Sequence, residues 1–219
     1  MGSGMPAPLT RIWDLPTRLF HWALAALVVF SLVTAKLGGL WMDWHMRSGY
    51  AVLALVLFRL LWGFAGSHYA RFETFVRGPR AILAYLTGKS RHGAGHNPLG
   101  ALSVLALLAM LLVQASAGLF ANDDIFTEGP LAKFVSAAAS TQLTRLHKQG
   151  ETVLYVLVGL HVVAVVYYTV YRSEPLLRTM LRGDRAIEAS PAQDDLALRL
   201  RALLLLALCA GLVGYLVTL

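Results

Sequence analysis

The chain has 219 residues, of which 57% are hydrophobic and only 14% are charged. Because a soluble globular domain carries about 25% charged residues, this composition excludes an ordinary soluble domain and indicates an integral membrane protein. The net charge of +7 does not imply a nucleic-acid partner, since basic loops in a membrane protein set its orientation and attract anionic lipid.

Five apolar segments are each close to the roughly 20 residues that a helix needs to cross a bilayer. They cover about residues 19–35, 45–65, 99–120, 151–171 and 196–219. Spans of this length predict an all-α membrane bundle, because the strands of a membrane barrel are shorter and alternate in polarity. Two long loops are each predicted to hold a short helix, near residues 78–86 and 131–139.

Lysine and arginine are distributed unevenly between the two sides of the predicted bundle. Thirteen lie in the N-terminal segment, in the loop after the second span and between the fourth and fifth spans, whereas five lie on the other side. Because basic loops stay in the cytoplasm, we expect the N-terminus inside and the C-terminus outside.

Four histidines occur at defined depths in these spans. His147 and His161 are fourteen residues apart in the fourth span, so they share one helix face and lie roughly 21 Å apart along its axis. His21 begins the first span on the inner side, and His45 begins the second on the outer side. Depth therefore pairs His21 with His161 near the inner face and His45 with His147 near the outer face.

Two imidazoles from different helices suit the two faces of a haem that transfers electrons and keeps no open position for substrate. Zinc would require three or four protein ligands at one point. The chain has one cysteine, Cys209, and no Cys-x-x-Cys-His motif, so any haem is not thioether-linked. We therefore predict two b haems. The alternative is four packed, hydrogen-bonded histidines in a transport or scaffold protein without redox chemistry.

Haem propionates need polar partners, and several basic residues are candidates. Arg18 lies one turn from His21, and Arg59 lies about two turns inside the second span, where an arginine is costly without an anion. For the outer haem the candidates are Arg47, Arg145 and Lys148. Each could instead serve membrane topology, interfacial anchoring or snorkelling.

His96 and Asn97 lie directly before the third span, at the expected level of the inner haem. Neutral donors at this position could hydrogen-bond a quinone carbonyl, and His96 could relay a proton to the reduced quinone. Asn97 followed by Pro98 is also an ordinary helix-start signal, and the two roles are compatible.

The segment Trp13–Trp22, WDLPTRLFHW, resembles the opening of the bacterial cytochrome b561 and nickel–iron hydrogenase b-type cytochrome family. Further similar segments are RLLWGFAGS at residues 59–67, GHNPLGA at 95–101, the interval from His147 to His161, and LRTMLRG at 177–183. The resemblance extends from about Arg11 to Arg185. It implies a four-helix bundle in which the matching histidines bind two b haems, with quinone chemistry at the inner haem in several members. The expected division is a di-haem domain over residues 1–185, and a linker with an additional helix over 186–219.

These observations predict transmembrane electron transfer in the bacterial inner membrane. The expected partners are ubiquinone or menaquinone and a periplasmic or membrane-attached redox protein, such as a hydrogenase or a c-type cytochrome; a homodimer is a further option. An alternative keeps the haems but makes the chain a self-contained oxidoreductase, such as a superoxide:quinone oxidoreductase.

Overall fold

The computed structural model describes residues 7–89, 93–123 and 127–219, and Arg91, one of the thirteen bases counted above, lies outside them. The helices are α1 Leu15–Leu37, α2 Met42–Ala65, α3 Phe72–Phe75, α4 Pro79–Leu86, α5 Pro98–Gly118, α6 Ala137–Val170, α7 Leu176–Arg182 and α8 Leu196–Thr218. Two short strands, β1 Leu9–Arg11 and β2 Asp184–Ala186, pair with each other, and single 3-10 turns occupy Gly39–Trp41, His68–Ala70 and Ala132–Phe134.

Five of these helices, α1, α2, α5, α6 and α8, are long and apolar enough to cross a membrane. The prediction of an all-α integral membrane protein with five spans is therefore confirmed. The short helix predicted near residues 78–86 is α4, which has Pro79 in its first turn.

The predicted separate helix at residues 131–139 is wrong. That segment contains one 3-10 turn and then the beginning of α6, whose N-cap Ser136 accepts a hydrogen bond from the Ala139 amide at 3.3 Å. Three alanines follow Ser136 and favour a helix that continues directly into the apolar span. α6 therefore has 34 residues, roughly 51 Å in length, and extends beyond the ~30 Å hydrocarbon layer.

Helix α2 lies at the centre of the bundle and packs against α1, α5 and α8. Its Val56, Phe58 and Trp62 are buried in the main apolar core. Of the other spans, α6 packs closely only against α5, and it meets α1 through an ion pair between Lys36 and Glu151 at 2.6 Å. This arrangement leaves a groove between α6 and the pair α1 and α2.

The fifth helix, α8, packs against α2 through a face that includes Leu198, Ala202, Cys209 and Val213. The segment before α8, which the sequence analysis assigned to a linker, is bound to the N-terminal segment. Strand β1 pairs antiparallel with β2, with Thr10 opposite Arg185. Partners in this sheet are more than 170 residues apart, so no local sequence signal predicts it.

Gly183 joins α7 to this sheet at a position that only glycine occupies without strain. Its φ is +90°, and a Cβ would lie 2.7 Å from the Trp13 carbonyl oxygen. Its own carbonyl accepts hydrogen bonds from the Ile12 and Trp13 amides at 2.8 and 3.0 Å. The end of the bundle that holds this junction is called the inner end below, and the end that holds residues 119–123 and 127–136 is called the outer end.

Candidate functional site

Two motifs of the sequence bind each other at the inner end and set the position of His21. The Asp14 carboxylate is fully buried and accepts hydrogen bonds from the Thr17 amide at 2.7 Å, from the Thr17 hydroxyl at 2.9 Å and from the Ser67 hydroxyl. The indole of Trp62 donates to the Thr17 hydroxyl oxygen at 3.1 Å. Asp14 is also the N-cap of α1, so this network ties the helix start to the end of α2 one to two turns before His21.

At the outer end, the groove holds a pair of imidazole rings. His45 on α2 and His147 on α6 have ring centres 5.9 Å apart. The Nδ1 atom of His45 donates to the Ser31 carbonyl oxygen at 2.9 Å, and the Nδ1 atom of His147 donates to the Gln114 carbonyl oxygen at 2.9 Å. Because a carbonyl oxygen only accepts, both Nδ1 atoms carry the proton and each Nε2 keeps a lone pair for a metal.

Helix α5 holds His147 through two hydrogen bonds, both formed with Gln114. The side-chain amide of Gln114 donates to the His147 backbone oxygen at 2.8 Å, so the two residues are joined in both directions. Gly118 leaves room for the ring, since a Cβ there would lie 2.9 Å from His147 Cε1. Gly150 leaves room for Gln114 in the same way, with a Cβ 2.2 Å from Gln114 Oε1.

A cavity of about 520 Å³ surrounds the outer pair, a size typical of cofactor pockets. Besides the two histidines, its lining includes Ser31, Gly49, Gln114, Gly118, Lys148 and Glu151. Gly49 lies one turn from His45, and a Cβ there would meet no atom within 4 Å. The space beside the rings is therefore open at this glycine.

At the inner end, a second pair consists of His21 on α1 and His161 on α6, with ring centres 6.4 Å apart. The Nδ1 atom of His21 is buried without a hydrogen-bond partner. Among the described residues, neither ring of this pair forms a hydrogen bond, in contrast to the outer pair.

The spacing of both pairs fits one metal held between two imidazoles. A nitrogen ligand lies about 2.0–2.1 Å from its metal and the ring centre about 1 Å behind it, so two rings on opposite sides have centres about 6 Å apart. The observed distances of 5.9 and 6.4 Å agree with this value. Among residues 7–89, 93–123 and 127–219, no three His, Cys, Asp or Glu side chains form a metal-binding group, so neither pair belongs to a larger ligand set.

Arg59 lies in the inner half of α2 and is only 3% exposed. Its guanidinium packs over the rings of Phe72 and Phe75 at 5.2 and 6.0 Å, and its Nη1 atom has no hydrogen-bond partner. A buried guanidinium nitrogen without a partner is costly, and an anionic group such as a carboxylate would satisfy it.

His96 lies between the rings of Trp13 and Phe75, with centre distances of 4.7 and 4.5 Å. Burial lowers the pKa of His96 to about 3, with smaller contributions from Arg59, His161 and His21. The ring is therefore neutral at physiological pH, and its buried Nδ1 has no partner. Phe75 contacts both His96 and Arg59, so these two residues belong to one cluster at the inner end.

The remaining inner candidates have structural partners. Arg18 donates through Nη1 to the Leu181 carbonyl oxygen at 2.9 Å, while its Nε is buried without a partner. The Asn97 side chain accepts from the Gly100 amide at 2.7 Å, which is the capping role that the sequence also indicated. A quinone contact of Asn97 stays a prediction.

The three outer basic candidates are placed differently from one another. Lys148 lines the outer cavity. Arg47 is exposed and lies over Trp44 at 5.4 Å, and Arg145 is exposed; neither contributes to the cavity. Each of these two arginines is two positions from a histidine of the pair, roughly 200° around the helix, so its side chain leaves on the opposite side. The geometry favours Lys148 among the three.

Sequence reasoning missed Ser31, Gln114, Lys36 and Glu151. The first two fix the outer rings, and the last two form the ion pair between α1 and α6. The available signal was polarity, because Ser31 and Gln114 interrupt apolar spans at the depth of the outer histidines.

Comparison with known proteins identifies the family of the chain. The family model described as prokaryotic cytochrome b561 matches residues 12–183, so the chain belongs to that family. The "Probable Ni/Fe-hydrogenase B-type cytochrome subunit" of Bradyrhizobium diazoefficiens is 22% identical in an alignment that covers 81% of this chain and 86% of the relative. No solved structure matches the chain.

Proposed function

We propose that this member of the prokaryotic cytochrome b561 family binds one b haem between His45 and His147 and a second between His21 and His161, and conducts electrons between the two membrane faces. Family membership supports a membrane electron-transfer protein with b-type haem. The number and position of the haems rest on the two ring pairs, whose centre distances of 5.9 and 6.4 Å suit axial ligation of one iron each.

The protein supplies orientation and an apolar setting, and a bound haem iron would supply the one-electron chemistry. Helix α6 holds one ligand of each pair, fourteen residues apart, so the sites are roughly 21 Å apart along its axis. For the inner propionates we propose Arg59 and Arg18, because both have a buried nitrogen without a partner. For the outer propionates we propose Lys148, which lines the cavity.

The ends of the electron path follow from the proposed topology, with the N-terminus in the cytoplasm of a bacterial inner membrane. At the inner end, His96 and Asn97 are the candidates to contact ubiquinone or menaquinone; two electrons and two protons convert one quinone to a quinol. At the outer end, we propose a periplasmic redox protein as the electron donor. The relative named as a hydrogenase cytochrome subunit supports a partner of this kind.

The decisive experiment is an optical spectrum of the purified chain, oxidised and dithionite-reduced, together with its haem-to-protein ratio. We expect a sharp alpha band on reduction and two haems per chain. His161→Leu and His147→Leu should each lose one haem and keep the other. His68→Leu is the matched control, because His68 is exposed in an inner loop and should leave both haems in place.

A ratio of zero would refute the haem proposal, and a ratio of one would refute the two-site proposal. Loss of the same haem in both histidine variants would show that the pairing is wrong. A second assay adds quinol to the oxidised protein, where haem reduction supports the quinone end. Reduction by superoxide in the absence of any protein partner would favour the self-contained oxidoreductase instead.

A further inference from the structure

Helices α1, α2, α5 and α6 surround the outer cavity, and the lines of contact between neighbouring helices, called seams below, are not equally closed. Helix α1 packs against α2, α2 against α5, and α5 against α6. The fourth seam, between α6 and α1, has no comparable packing and faces the surrounding lipid. A haem is flat and largely apolar, so it dissolves in lipid and can reach the cavity through a seam that is not packed.

The ion pair between Lys36 and Glu151 spans this open seam. Glu151 lies one turn from His147 on the same face of α6 and lines the cavity, whereas Lys36 lies in the last turn of α1 and outside the lining. Helical side chains lean toward the N-terminus of their own helix. Because α1 and α6 run in opposite directions, Lys36 leans inward and Glu151 leans outward, so the two side chains meet. The pair therefore lies at the edge of the cavity, with the Lys36 side chain 62% exposed and that of Glu151 26% exposed.

Glu151 depends on Lys36 more than an exposed carboxylate would. Its Oε1 atom is buried and lies 2.6 Å from Lys36 Nζ. Removal of the lysine would leave a partly buried negative charge without this cation, and it would remove the attraction that draws α1 toward α6.

The inner ends of the same two helices are joined in a different way. Arg18 and Trp22 on α1 donate to the carbonyl oxygens of Leu181 and Met180 at 2.9 and 3.4 Å. Both carbonyls belong to α7, which follows α6 along the chain. A change at Lys36 should therefore leave the inner seam as it is.

We propose that the seam between α1 and α6 is the entrance for the outer haem and that the Lys36–Glu151 ion pair closes it. This inference rests on the proposed function, which puts a haem between His45 and His147. The pair opens to let the haem pass from the lipid and forms again behind it. Lys36 and Glu151 are positioning residues, since neither is an axial ligand and both act through the distance between two helices. The pair thus sets the rates of haem entry and haem loss, and changes both together.

The test uses the full chain with His161→Leu in lipid nanodiscs, a parent that should hold the outer haem alone. Haem loss to an excess of a haem-free globin is measured first, and rebinding of added haem to the depleted chain is measured next. Lys36→Met should accelerate both steps by about two- to fivefold, the range of a partly exposed ion pair, and leave the ratio of the two rates unchanged. Lys36→Arg, which keeps the charge, should keep the rates of the parent. Lys36→Glu should also accelerate both steps, and Glu151→Lys added to it should restore them.

Two controls separate closure of this seam from a general effect of charge. Lys133→Met also removes a positive charge from the outer end, but Lys133 is exposed, does not line the cavity and contacts Leu219 at the end of α8, so neither rate should change. A second parent, His147→Leu, should hold the inner haem alone. Lys36→Met in that parent should leave the loss and rebinding of the inner haem unchanged.

Absence of haem from both parents would overturn the proposed function together with this inference. An outer haem that Lys36→Met loses at the rate of the parent would overturn the inference alone. Faster loss without faster rebinding would also overturn it, because the pair would then contribute to affinity and not to closure. The same holds if the double charge reversal stays as fast as Lys36→Glu. Where a charge reversal does not keep the helical circular dichroism of the parent, the comparison of Lys36→Met with Lys36→Arg decides.

Discussion

Gly118 offers the sharpest test of the outer site, because one added methyl group acts directly on a proposed ligand. In Gly118→Ala, the new Cβ would lie 2.9 Å from Cε1 of His147, whereas an ordinary contact begins near 3.4 Å. The ring must therefore move by at least about 0.5 Å, which exceeds the ~0.2 Å range within which metal–ligand distances normally fall. The movement also strains the 2.9 Å bond from His147 Nδ1 to the Gln114 oxygen.

Changes to groups that orient a metal ligand typically weaken metal binding by about 10–100-fold, and we expect Gly118→Ala to weaken retention of the outer haem by this factor. The assay is haem loss from the purified protein to an excess of a haem-free acceptor, with the two haems distinguished by their absorption bands. Gly159→Ala is the matched control, because Gly159 is also helical, lies two residues from His161, and has no atom within 4 Å of a Cβ. Equal haem retention in Gly118→Ala and the wild type would refute the reasoning, as would equal loss in the control.

Three further predictions concern space, backbone strain and pH. Gly49→Phe should fill the outer cavity and lower the haem-to-protein ratio from two to one with an unchanged helical circular dichroism spectrum, because a Cβ at Gly49 meets no atom. Gly183→Ala should destabilise the inner end by about 1–3 kcal/mol, the usual cost of a non-glycine residue in a strained backbone region, measured by thermal unfolding in detergent. Burial lowers the pKa of His96 to about 3 from an ordinary value of 6.5. At pH values between these two, His96 is therefore protonated in the unfolded chain and neutral in the folded chain. Stability should therefore fall as the pH drops below about 6.5, and His96→Phe should make that fall shallower in the same unfolding assay; a slope identical to wild type would count against the buried neutral ring.

The features that sequence reasoning predicted well depend on composition and on helical periodicity. Length and hydropathy located all five spans, and the fourteen-residue interval on one helix placed His147 and His161 at two depths. Pairing by depth then required only that α1 and α2 lie opposite α6, and the structure brings both ring pairs together. The start of α6 was missed because hydropathy reports the apolar part of a helix, whereas Ser136 and the alanines after it determine where the helix begins.

The residues that sequence reasoning missed act through contacts between distant segments. Gln114 reads as one polar residue in an apolar helix, and its bonds to His147 depend on how closely α5 packs against α6, which Gly150 permits. The β1–β2 sheet joins residues more than 170 positions apart and has no local signature.

Helix α8 packs against α2, which carries His45 and Arg59, and not against the groove beside α6. Helix α8 therefore adds apolar contact to α2, which carries residues at both ends of the proposed electron path. It does not cover the groove between α2 and α6 in which the ring pairs lie. The segment that leads to α8 is held at the inner end, where the Asp194 carboxylate accepts from the Leu15 amide at 3.2 Å and pairs with Arg199 at 3.0 Å. Because Leu15 is the first residue of α1, the fifth helix and the helix that carries His21 are fixed to a common point. The C-terminal region is thus joined to α1 and α2, the helices that carry His21, His45 and Arg59.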